Sequence, residues 1–133
     1  MSVLRVDASA RIEAAEAIAE PAAPRTIAGY HAHVYGAADL EGRDLEALHA
    51  RARRELTRAQ VGRLRREPVG PHPVPMFQIA FDRDRLDAVV PWLIERREGR
   101  SVLVHPLHGA HLAEHTEDAL WLGERLELDV SVF

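Results

Sequence analysis

An α+β fold built on one antiparallel sheet is what this sequence predicts, on three observations. Short runs of alternating apolar and polar residues, which mark half-buried strands, recur four times. Two longer stretches with apolar residues three and four apart, the mark of helices, separate the first run from the second and the third from the fourth. A proline-rich connector joins the second and third runs with no room for a helix. The order is β-α-β-β-α-β, the ferredoxin-like arrangement, in which both helices cover one face of a four-stranded sheet.

Residues 1–25 are rich in Ala, Glu and Pro. Such a segment forms helix readily but has little apolar surface to bury, so a mobile arm is expected over 1–25 and one domain over 26–133. The first strand is expected over 27–35, where β-branched and aromatic residues alternate in Tyr30-His31-Ala32-His33-Val34-Tyr35. A helix starts in the stretch 39–44, with Asp39 or Asp44 as N-cap, and carries Leu45, Leu48, Ala52, Leu56 and Ala59 along one stripe. Residues 61–67 are a short, basic second strand centred on Leu64. Pro68, Pro71, Pro73 and Pro75 then fix φ and remove ladder donors, which predicts a stiff, extended connector. The third strand, 76–81, turns Phe77, Ile79 and Phe81 one way and Met76, Gln78 and Ala80 the other. A second helix over 83–98 carries Leu86, Val89, Val90, Leu93 and Ile94, is expected to kink at Pro91, and stops at Gly99. The fourth strand is 101–105. Beyond it a helical turn is expected near 111–117, then the segment Trp121-Leu122-Gly123, whose tryptophan is expected in the core.

Composition removes several functions. There is no cysteine, which excludes disulfides, thiolate metal sites and a cysteine nucleophile. All 17 basic residues are arginine, so Schiff-base and P-loop lysine chemistry is absent. A net charge of −4 argues against general polyanion binding. The run Arg51, Arg53, Arg54, Arg58, Arg63, Arg65 and Arg66 is interleaved with Glu46, Glu55 and Glu67 and lacks stacking aromatics, so it reads as a solvated face and no nucleic-acid partner is expected. No apolar run approaches the ~20 residues needed to cross a bilayer. The start lacks an apolar leader region. No membrane association and cytoplasmic residence are therefore expected.

Alternation places the chemistry. If Val34, Leu64, Phe77, Ile79, Phe81, Val102 and Val104 face the helices, then His31, His33, Tyr35, Gln78, Leu103 and His105 face the opposite side. Strands one and four are neighbours in this arrangement, so three histidines from two strands reach one surface. Neutral imidazole is the commonest metal ligand, and the cluster points to a metal centre. On the same reckoning Arg63 and Arg65 lie on the histidine side, where either could hold a substrate carboxylate. Tyr35 either packs at the strand end or bonds the substrate. His49 is expected in solvent, and His108 and His111 in an exposed loop. The helix-free face is also partly apolar (Met76, Ala80, Leu103), which predicts a homodimer that covers it.

With these residues placed, the chain resembles the DOPA 4,5-dioxygenase family. The matching pieces are Tyr30-His31-Ala32-His33-Val34-Tyr35, Val69-Gly70-Pro71-His72-Pro73-Val74-Pro75-Met76-Phe77, Ser101-Val102-Leu103-Val104-His105-Pro106-Leu107, and His115 followed by Ala119-Leu120-Trp121-Leu122-Gly123. The resemblance implies an extradiol-type enzyme that uses non-haem Fe(II) and dioxygen to open catechol rings, on a dimeric ferredoxin-like fold. His31, His33 and His105 are then the metal candidates, and His33, His72 and His115 the candidates for acid–base work. An all-histidine ligand set and one completed by Glu114 or Glu67 are both open. Two departures bear on substrate choice: His108 stands where the family tends to have threonine, and Glu114 where aspartate is usual. A second reading from another class is a non-catalytic metal- or small-molecule-binding module on the same fold.

Overall fold

The computed structural model describes residues 26–133; the arm expected over 1–25 lies outside the described residues. The elements run β1 (Gly29–Tyr35), α1 (Glu46–Glu55), β2 (Gln60–Val61), β3 (Met76–Asp82), α2 (Leu86–Arg96), β4 (Val102–Leu107), α3 (His111–His115) and β5 (Leu120–Leu122). Single 3-10 turns lead into the first two helices. The five strands form one antiparallel sheet in the order β2-β3-β1-β4-β5, which puts β1 at the centre between β3 and β4. No helix among the described residues is long and apolar enough to cross a membrane.

One face of the sheet carries Ala32, Val34, Phe77, Ile79, Phe81, Val102 and Val104, and these pack with Leu45, Leu48 and Ala52 from the α1 segment and Val89, Trp92 and Leu93 from α2. Burial of each large side chain stabilises by about 1.5–3 kcal/mol, which is why the alternation fixes which face meets the helices. Leu64 packs on the edge of this core as expected.

Three expectations need correction. Asp44 does not cap the first helix: its Oδ2 accepts the Ala37 N–H at 2.8 Å instead and closes the loop after β1. The second strand is not continuous over 61–67. Its ladder pairs Gln60 and Val61 with Ala80 and Ile79, and resumes only as a bridge between Arg65 and Met76. Residues 62–64 thus oppose only 77–78, a bulge that interrupts the pairing. Finally, the proline connector is not simply extended. The Val69 carbonyl accepts the His72 N–H at 3.0 Å across a tight turn, with Gly70 in the left-handed region at φ +57°. That turn folds His72 back to the sheet.

The face of the sheet opposite α1 and α2 is covered by the chain itself. Tyr35, Met76 and Leu103 are buried under Val74, Ala119, Trp121, Leu126 and Leu128. The apolar residues Met76 and Leu103, expected to be left open for a second subunit, are therefore occupied from within.

Candidate metal centre

β1 projects His31 and His33 from one face, and the β1–β4 register sets His31 directly opposite His105. One nitrogen of each lies within 4.8 Å of one nitrogen of the other two. The Nε2 atoms of His33 and His105 are 3.1 Å apart. Two imidazole nitrogens each about 2.1 Å from a common divalent ion, and adjacent in its coordination shell, sit roughly 3 Å apart. The donor set thus fits an ion. His72 and His115 flank the triad: the His72 ring centroid is 4.1 Å from that of His33, and the His115 centroid 4.0 Å from that of His105. All five histidines singled out in the sequence converge.

Backbone and hydroxyl partners set the tautomers. His105 Nδ1 lies 3.1 Å from the Pro106 carbonyl oxygen, and His115 Nδ1 2.7 Å from that of His111. A carbonyl only accepts, so each Nδ1 carries the proton and each Nε2 presents a lone pair. His72 differs, because its Nδ1 is 2.7 Å from the Tyr35 hydroxyl. Tyr35 is buried, stacked on Trp121 and engaged with His72. Burial pushes its pKa above the ordinary value, so it stays a phenol.

Burial also keeps the imidazoles neutral. His72 is held at about 4 by burial, then by His115 and His31. His105 is likewise held at about 4 by burial, then by His115. His33 falls well below 6.5 through burial and then its neighbours His72 and His105. His31, half-buried, is lowered by burial too, although the Glu114 charge opposes it. His33 is the more buried of the strand pair.

The carboxylates separate. Glu67 is exposed and belongs to neither potential ligand group. Glu114 is buried, 1% exposed, with an oxygen within 4.8 Å of donor nitrogens of His105 and His115. Burial raises its pKa, but the backbone N–H groups of His108 and Gly109 and the His111 ring outweigh that and hold it at about 2.

Two histidines expected in solvent are not there. His49 lies 2.7 Å from the Gly62 carbonyl oxygen through Nε2 and meets Phe77 edge-on, so it belongs to the fold. The His108 side chain is buried, with Nε2 2.9 Å from an Asp118 oxygen. His111 is exposed as expected.

A cleft of about 280 Å³ opens beside His33 and His72 and is lined by Arg63, Arg65 and Gln78 among others. The sequence placed Arg63 and Arg65 on the histidine side, and both reach this cleft. A second cleft, about 430 Å³, lies against His115 and Trp121 and includes Arg125. Sequence reasoning passed over Arg125 and also Phe133, whose ring centroid lies 4.5 Å from that of His115. Neither sits in a periodic element, so no pattern pointed to them.

Comparison with known proteins bears on the fold and the family. A crystal structure from Nostoc punctiforme, described as a "putative dioxygenase", superposes with a TM-score of 0.70 at 44% identity, over 80% of this chain and 90% of that one. An uncharacterised 21.2 kDa protein of Botryotinia fuckeliana is 42% identical over 93 residues, covering 64% of this chain and 51% of the relative. A DOPA 4,5-dioxygenase of Amanita muscaria is 30% identical over 110 residues, covering 77% of this chain and 48% of the relative. The chain thus spans about half the length of the curated relatives it matches. The family profile described as Dopa 4,5-dioxygenase family covers residues 30–132, a span that holds every histidine of the cluster, and the chain belongs to that family.

Proposed function

We propose that this protein is a non-haem iron, extradiol-type dioxygenase that opens the ring of a catechol bearing an acidic side chain, on a ferredoxin-like fold assembled as a cytoplasmic homodimer. The observation that carries the reading is the convergence of His31, His33 and His105 nitrogens within 4.8 Å in a member of this family. Neutral imidazoles with bare lone pairs suit Fe(II). Ferrous iron, if held by His31, His33 and His105, would supply the activation of dioxygen and of the catechol for ring opening. His72 lies outside the triad and is the proton carrier. The Tyr35 hydroxyl accepts from a protonated Nδ1 or donates to a bare one, so His72 stays satisfied in either tautomer and as the cation. The carbonyls facing His105 and His115 hold those rings in the Nδ1–H tautomer, so either could take a proton only at Nε2. Arg63 and Arg65 hold the substrate carboxylate in the cleft that His33 and His72 line.

The test is anaerobic reconstitution with ferrous iron, then air and a panel of catechols. A yellow ring-opened semialdehyde, formed fastest from the acid-bearing catechols, supports the reading. Stoichiometric iron binding without oxygen uptake on any catechol would instead support a non-catalytic metal- or small-molecule-binding module. Loss of acid preference in an Arg125 variant, with Arg63 and Arg65 variants unaffected, would move the carboxylate to the second cleft. The homodimer draws support from Leu112, Leu120, Val132 and Phe133, which stay exposed around α3 and the edge strand β5. Sedimentation as a monomer at micromolar concentration would remove it.

A further inference from the structure

We infer that Glu114 is a positioning residue: it clamps the β4–α3 connection so that His105 and His115 face one another, and it is not itself a metal ligand. The inference rests on the metal-centre reading above. A rival exists in the geometry itself, since Glu114, His105 and His115 together make a two-histidine, one-carboxylate set within 4.8 Å. The hydrogen bonds decide between them. One carboxylate oxygen, Oε2, accepts the His108 N–H at 2.7 Å and the Gly109 N–H at 2.9 Å. The other, Oε1, lies 3.1 Å from His111 Nδ1. Oε2 is therefore taken up by two N–H groups of the connection, and Oε1 engages His111, the first residue of α3. Gly109 turns through φ +95°, which lets two successive N–H groups meet one oxygen. The connection begins where β4 ends, two residues after His105, and runs into the helix that carries His115. Fixing it fixes the spacing of the two rings, whose centroids are 4.0 Å apart.

Positioning depends on reach, ligation on charge, and two substitutions separate them. In Glu114→Gln the amide oxygen still takes the two N–H groups. The NH2 faces His111, which is 71% exposed and free to adopt the other tautomer. In Glu114→Asp the charge is kept but the side chain is one methylene too short to span its donors. Co(II) is titrated into the purified metal-free chain and followed by visible absorption. The expected result is that Gln binds within about threefold of the parent with an unchanged spectrum, whereas Asp loses roughly tenfold or more, as outer-shell changes do. The reverse order, or a spectrum altered by Gln, makes Glu114 a ligand and overturns the inference. Parent-like binding in both variants overturns it as well. A parent that binds no Co(II) instead overturns the underlying metal-centre reading, and this inference with it.

Discussion

At the scale of single residues, what an imidazole is bonded to sorts the five histidines of the cluster. The triad residues His31, His33 and His105 are expected to hold the metal, so alanine at any of them should lower iron content and activity together. His72→Ala should keep its iron and slow turnover by about 10²–10⁴-fold, the usual worth of acid–base catalysis. Metal analysis alongside kcat separates the two outcomes, and iron loss in the His72 variant would make it a ligand. Tyr35→Phe leaves a buried His72 nitrogen without its partner, which should cost about 1–3 kcal/mol in chemical denaturation. The triad was legible in the sequence, because alternation along two strands fixes which way His31, His33 and His105 point. The Tyr35–His72 bond was not. It depends on a turn at Gly70 that returns the connector to the sheet, and four prolines read locally as an extended chain.

At the scale of elements, β1 is held on both sides and tolerates little change. Its first residue, Gly29, lies where an added Cβ would meet the Phe81 carbonyl oxygen of β3 at 2.5 Å. A backbone atom in a ladder has no rotamer by which to escape. Gly29→Ala should therefore destabilise by about 1–3 kcal/mol, the usual penalty of overpacking. An unchanged denaturation midpoint would show that the strand pair can slide apart at that end. Strands β1, β3 and β4 were readable because each is long enough for burial to impose a period of two. β2 was misread since its bulge at residues 62–64 breaks the alternation that the reading relied on. Covering of the face opposite α1 and α2 was invisible for a related reason. Leu126 and Leu128 lie outside any strand or helix, and where such a segment settles is decided by the apolar Tyr35, Met76 and Leu103 beneath it.

At the scale of the molecule, a cluster of neutral histidines beneath a folded-over segment couples stability to acid. In the unfolded chain these rings protonate near 6.5; folded, His72 and His105 protonate only near 4, and burial holds His33 well below 6.5 too. The unfolded state thus binds more protons wherever pH lies between those values. Stability is complete above about pH 6.5 and is lost as pH falls toward 4, by roughly 3 kcal/mol each for His72 and His105 taken independently. Glu114 acts in a lower window: its pKa is held at about 2 against an ordinary 4.5, so its contribution is present above 4.5 and lost below. A bound divalent ion competes with protons for the same lone pairs and should protect the fold. Thermal melts of the metal-free chain between pH 8 and 4 should show Tm falling below about pH 6.5. With Co(II) added, the curve should stay higher through that window and converge with the metal-free one as protons displace the ion. Curves that coincide at every pH would mean that the five histidines share a surface without sharing an ion.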